Sequence, residues 1–230
     1  MILSALVLGL SPLVPFQEPE ETELEVAQRK VAELEAELGP EHLDLVDSLW
    51  AVAGIYYEQA QYRRAEEVCR QLLAIYEKSY GLEHPDVAKS LNNLAVLLKI
   101  QGSHAEARPL HERSLAIREK ALGPEHPDVG DSLNNLALLL NAQGSYAEAR
   151  PLYERALAIR EKSFGLEHPL VATSLNNLAS LLKTQGSYAE ARPLYERGLG
   201  TTLLHLSKTL AALTEAERFQ YLAIKQGPEP

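Results

Sequence analysis

Ser90-Leu91-Asn92-Asn93-Leu94-Ala95 is read again at Ser132-Leu133-Asn134-Asn135-Leu136-Ala137, and a third time at Ser174-Leu175-Asn176-Asn177-Leu178-Ala179. Each copy begins 42 positions after the last. Gln-Gly-Ser follows at Gln101, Gln143 and Gln185, and Ala-Glu-Ala-Arg-Pro-Leu at Ala105, Ala147 and Ala189. Chance does not hold such blocks in register twice, and a fixed period of this length signals stacked units. Each unit in such a fold contacts only its neighbours.

The composition fits this picture. Hydrophobic residues are 46% of the 230, enough to bury a core along most of the chain. The formal net charge is −10. Nucleic acid, which needs a basic footprint, is therefore not an expected partner. Cys69 is the only cysteine, so neither an intramolecular disulfide nor a cysteine-rich zinc site can form. It reads as a small apolar residue on a packed helix.

One unit reads as two helices. Pro127 suits the first turn of helix A, where its missing N–H is not needed. Leu133, Leu136, Ala137 and Leu140 form the apolar stripe of an amphipathic helix. Gly144 supplies the left-handed residue that ends it. Ser145 with Glu148 reads as a capping box opening helix B, repeated at Ser103 with Glu106 and at Ser187 with Glu190. Helix B should bury Ala149, Leu152, Ala156 and Ile159 and stop near Gly165. The short Gly-Ser turn forces antiparallel packing, and small residues such as Ala149 and Ala156 allow close approach. Pro109, Pro151 and Pro193 fall inside helix B, where each removes a hydrogen bond and favours a bend.

A helix pair with Leu94-Ala95, Leu98, Gly102, Ala107 and Ser114 at these spacings resembles the tetratricopeptide repeat. The longer unit, with its Leu-Asn-Asn-Leu-Ala and Gly-x-Glu-His-Pro blocks, is similar to the kinesin light chain type. The resemblance covers roughly residues 24–198. It implies an all-α, right-handed superhelical solenoid of antiparallel helix pairs. It also implies a non-enzymatic scaffold that binds a peptide segment of a partner protein in its concave groove.

The expected organisation has four parts. Residues 1–20 are an apolar segment, a possible signal or anchor: nothing from Met1 to Phe16 is charged, but no Lys or Arg precedes the run. An exported or anchored chain and a cytoplasmic one both stay open. Residues 21–47 form a half-repeat capping helix and connector. Residues 48–200 form four helix-pair repeats, the first and last atypical. Residues 201–230 form a C-terminal helical cap and tail, with a capping box at Thr214 and Glu217 opening a helix to about Lys225. That tail faintly resembles the segment joining repeat arrays to caspase-like peptidase domains. An alternative function follows: the regulatory array of a split or truncated peptidase system, with catalysis on another domain or chain.

No catalytic motif is present, and no metal or cofactor is expected. His42, His84, His126 and His168 recur one unit apart, each just ahead of a helix A, and read as structural helix-start residues. His104 and His111 replace tyrosines of later units and read as core or boundary substitutions. Glu112-Arg113, Glu154-Arg155 and the runs at Arg118 and Arg160 read as a solvated face with helical ion pairs.

The candidate binding residues lie on the A helices. Trp50, Tyr57, Asn92, Lys99, Asn134, Asn141, Asn176 and Lys183 recur two per unit, seven residues apart, and should line one concave strip. Asparagine offers both a donor and an acceptor to a peptide backbone. Asn92, Asn134 and Asn176 are expected to face the ligand. Asn93, Asn135 and Asn177 are expected to join neighbouring units. The strip is aromatic at one end and carries two lysines further on, suiting a ligand with an apolar anchor and a few carboxylates.

Overall fold

The computed structural model describes residues 21–213, and both the apolar N-terminal segment and the expected 214–225 helix lie outside that range. The described residues form helices and connectors, with no strand among them. A lone helix α1 (Glu23–Leu38) comes first, followed by a short 3-10 turn at Leu43–Leu45. Four A–B pairs follow: α2 (Val46–Glu58) with α3 (Tyr62–Tyr80), α4 (Pro85–Ile100) with α5 (His104–Leu122), α6 (Pro127–Ala142) with α7 (Tyr146–Phe164), and α8 (Pro169–Thr184) with α9 (Tyr188–Ala212). Each helix packs on the next in sequence, as in a solenoid.

Each A helix from α4 onward begins with its proline at the first helical position. The histidine before it is the N-cap. His126 Nδ1 accepts from the backbone N–H of Asp128 at 3.2 Å, and His42, His84 and His168 do the same two residues on. The recurrent histidines are thus structural, each satisfying one orphan donor of a helix start.

The expected boxes at Ser103, Ser145 and Ser187 do not form: none of these side chains makes a cap hydrogen bond. The backbone explains why. Gly144, at φ +77°, lets Ser145 N–H donate back to Leu140 O at 2.9 Å and Gly144 N–H to Asn141 O at 3.0 Å. This is a Schellman closure. It consumes the Ser N–H that a box would offer to the glutamate. Glu148 and Glu190 are instead bound by Arg108 and Arg150 of the preceding units. Among the described residues the one complete box is at Thr22 and Glu25, ahead of α1, where no helix end competes.

The core is a column of A-helix leucines and B-helix small residues. Leu91, Leu133 and Leu175 are fully buried, as are Ala107, Ala149 and Ala156. Ser114 uses the close approach to donate its hydroxyl to Ala88 O at 2.7 Å. Leu152 is only half-buried, and the large residue in the core of helix B is Tyr153. The helices run unbroken through Pro109, Pro151 and Pro193, and α9 continues through Gly198 and Gly200 to Ala212.

Candidate functional site: the inner face of the A helices

Helix α4 packs directly against α6, and α6 against α8, while no B helix meets the next B helix as closely. The A helices therefore lie on the inner, more tightly spaced side of the stack. The B helices are joined across the wider side by long side chains: Arg108 reaches Glu148 and Arg150 reaches Glu190, both at 2.8 Å. Arg113 and Arg155 each grip a glutamate of the preceding B helix, at 2.7 and 2.6 Å, and a carbonyl of its connector. Gln71 makes the same two contacts in the first unit.

Two arginines assigned to a solvated face are instead buried clamps. Arg118 Nη1 donates to Ser132 Oγ and Asp128 O, both at 2.9 Å. Arg160 donates to Ser174 Oγ at 2.8 Å and Leu170 O at 3.3 Å, and pairs with Asp131 at 2.7 Å. Each ties a B helix to the A helix that follows. Burial lowers the Arg118 pKa, with Asp128 and Asp131 pulling the other way. In the first unit Tyr76 stands at this place and accepts from Trp50 Nε1 at 3.2 Å. Ser90 Oγ, the counterpart of Ser132, is left without a partner.

The asparagines form a ladder between units. Asn135 Nδ2 donates to Asn92 Oδ1 at 3.0 Å, and Asn177 Nδ2 to Asn134 Oδ1 at 2.9 Å. Asn92 and Asn134 are 8% and 5% exposed. The expected split into ligand-facing and packing members thus fails at these two, because the second asparagine of the next unit covers the first. Only the ends are open. Asn176 is exposed, no A helix following α8 among the described residues, and Asn93 has no side-chain partner among them because Trp50 stands where an asparagine would be.

Of the other strip residues, Tyr57 and Lys183 are exposed and Trp50, Lys99 and Asn141 half-buried. Asn141 Oδ1 has no partner. Burial holds the Lys99 pKa below its ordinary value. Lys78, Lys120, Lys162 and Lys208 each pair with a connector glutamate. Lys89, Lys99 and Lys183, on A helices, pair with no carboxylate among the described residues; Lys89 lies 5.3 Å from the Trp50 ring centre.

A pocket of about 380 Å³ opens between α2 and α4. Trp50, Gly54, Tyr57 and Glu58 form one wall and Asn93, Val96 and Leu97 the other, with Ala65 and Cys69 beneath. Burial, with a contribution from Glu66, pushes the Cys69 thiol up to about 11, so it is neutral and unreactive at neutral pH. The sequence reading passed over Gly54 and Cys69 as pocket residues. Among the described residues no group of three His, Cys, Asp or Glu could hold a metal ion, and no helix is long and apolar enough to cross a membrane.

The comparisons agree with this architecture. The tetratricopeptide-repeat family matches residues 44–120, 86–144 and 128–201, and the chain belongs to it. Two crystal structures of nearly identical TPR-like repeats from Podosopora anserina, assigned to the kinesin light chains, are similar to it. One is 31% identical, with a TM-score of 0.69 over 80% of this chain and 87% of that one. The other is 32% identical, with a TM-score of 0.66 over 78% and 85%. A Rap protein complexed with competence and sporulation factor, 20% identical over 78% of this chain and 48% of its own, shares the fold at a TM-score of 0.65. No curated protein matches the chain. The kinesin-light-chain resemblance thus holds, and the array is a protein-interaction scaffold.

Proposed function

We infer that the inner face of the A helices holds an acidic peptide segment of a partner protein, with no chemistry performed on it. One observation carries this reading. In a chain of net charge −10, Lys89, Lys99 and Lys183 on the A helices have no carboxylate partner among the described residues, while four lysines of the outer helices, Lys78, Lys120, Lys162 and Lys208, are each neutralised by a connector glutamate. Desolvating Lys99 without a counter-ion costs stability, and a ligand carboxylate would offset that cost. The Asn93 and Asn176 amides have no side-chain partner among the described residues and are open to a peptide backbone.

The test is an array of short Glu-rich peptides read by fluorescence anisotropy. Lys99→Glu with Lys183→Glu should weaken binding by about 1–3 kcal/mol, and added salt should weaken it further. Lys120→Glu with Lys162→Glu, on the outer face, should leave binding unchanged. Equal loss in both pairs would show general charge attraction and sink the groove reading.

A further inference from the structure

We propose that residues 1–16 are a helix A in register with the later units, and that they dock in the open groove between α1 and α2 to complete the first unit of the array. The apolar segment is then an element of the fold rather than a leader or an anchor. The peptide-binding reading above is not needed for this and does not depend on it.

The groove has the shape of an A-helix berth. Helix α1 holds the place of a helix B: it ends at Gly39, the counterpart of Gly81, Gly123 and Gly165, and packs on α2 as α3 packs on α4. Among the described residues it has no A helix of its own. The groove measures about 440 Å³. Glu21, Glu23, Val26 and Lys30 line one side and Asp47, Ala51 and Ile55 of α2 the other. Helix α2 lacks the cover that later A helices receive from the unit before. Ile55 is half-buried, whereas Leu139 and Leu181 at the same position are fully buried. Ala51 is exposed, whereas Asn135 and Asn177 at its position donate to Asn92 and Asn134 of the preceding A helix.

Register fits the segment to this berth. Counting back two periods from residues 85–101 gives residues 1–17, and Gln17 joins the series Gln59, Gln101, Gln143 and Gln185. Leu3, Val7, Leu10 and Val14 take the places of the buried Val87, Leu91, Leu94 and Leu98. Ser4 and Ser11 carry the only polar side chains among residues 1–16, and they take the places of Ala88 and Ala95. Those are contacts between a helix A and its own helix B: Ser114 donates to Ala88 O, and Ala95 shares one cluster with Ala107. On α1 the counterparts of Ser114 and Ala107 are Lys30 and Glu23, both in the groove. The two hydroxyls of the segment therefore meet the two charges that α1 sets at this contact. The ladder changes in step. Leu8 holds the position of Asn92 and comes opposite Ala51, so an apolar pair replaces the amide pair of later units. Pro12 and Pro15 each remove one backbone hydrogen bond, as Pro109, Pro151 and Pro193 do inside α5, α7 and α9. Burial of the four core side chains offsets that loss. The segment leads into α1 through a short link, which gives it an effective concentration on the order of millimolar and favours it over a second copy.

The experiment uses the full chain with Cys69→Ala, which removes its only thiol. Leu8→Cys with Ala51→Cys places two thiols across the expected contact between A helices. A short bis-maleimide should link them within one chain, as read from the mass of the intact protein and of its tryptic peptides. Leu8→Cys with Lys78→Cys, on the outer helix α3, should stay unlinked. Leu10→Asp, added to the first pair, puts a charge at the place of the buried Leu94 and should abolish the link while the helical circular dichroism stays. Equal linking of the two pairs, or a link that survives Leu10→Asp, would show a segment that is not docked and overturn the proposal. So would the absence of any link to residue 51, or a link found only as a covalent dimer, which would give the berth to a second copy. Mass spectrometry of the chain purified from its source cell is the second measurement. An N-terminus beyond Phe16 would make the segment a removed leader and overturn the docking, whereas a retained segment supports it.

Discussion

Asn177 of α8 donates its side-chain N–H to Asn134 Oδ1 of α6 at 2.9 Å, so one amide pair joins two successive A helices on the inner face. Asn134 is buried and Asn176, the same residue one unit on, is exposed. Asn134→Ala should therefore lower stability by about 1–2 kcal/mol, since the Asn177 donor loses its acceptor in a half-buried place. Asn176→Ala should stay within about 0.5 kcal/mol. Chemical denaturation of the two single variants separates them. A substitution at Asn134 thus perturbs the stack itself and is a poor probe of ligand binding, for which Asn176 and Lys183 are the accessible choices.

Arg160 holds the third and fourth units together through Ser174, the Leu170 carbonyl and Asp131. Replacing it with methionine keeps much of the apolar stem but leaves the Ser174 hydroxyl and that carbonyl without the donor. The expected loss is about 2–3 kcal/mol. Arg192, whose side chain is 82% exposed and pairs with Glu196 in its own helix, is the control. Arg192→Met should cost less than about 0.5 kcal/mol. Thermal unfolding that shifts equally in both would refute the clamp.

The period, the helix pairs and their glycine and proline punctuation were legible because each is written in neighbouring residues. The histidine caps were legible as structural for the same reason. Three things were not. The serine boxes at Ser103, Ser145 and Ser187 match their pattern, but the pattern cannot show that the serine N–H already closes the preceding helix. Arg118 and Arg160 sit in charge-rich runs, and only the following A helix buries them. The pocket is invisible in any one unit. Comparing Cys69 with Tyr153 and Gly54 with Leu138 would have pointed to it, since a missing ring and a missing wall at one height leave space.

Ala60 is the one non-glycine residue with positive φ among those described, at 56°. It occupies the turn position that Gly102, Gly144 and Gly186 hold in later units. An L side chain is strained there, by about 1–2 kcal/mol. Ala60→Gly should recover about 0.5–1 kcal/mol, the added freedom of the unfolded chain taking back the rest. A rise in the denaturation midpoint with an unchanged slope is the expected reading; a fall would mean the alanine methyl packs usefully.

His111 supplies the pH dependence. It is fully buried, and neither ring nitrogen has a hydrogen-bond partner. Burial, assisted by the charge of Lys99, lowers its pKa from the ordinary 6.5 to about 4. The folded chain thus holds a neutral imidazole that the unfolded chain protonates first. Its stability is fully present above pH 6.5 and is lost as pH falls from there toward 4. At about 1.4 kcal/mol per unit, the loss reaches about 2 kcal/mol by pH 5. His111→Tyr, which installs the residue the fold already buries at Tyr153, removes the titrating group. Its stability between pH 7 and 5 should fall by about 2 kcal/mol less than that of wild type, whatever its value at pH 7. The carboxylates titrate alike in both proteins, so the difference between the two curves isolates His111. Parallel curves across that range would mean that His111 reaches water or a partner when protonated, and that its burial is not what makes the array acid-sensitive.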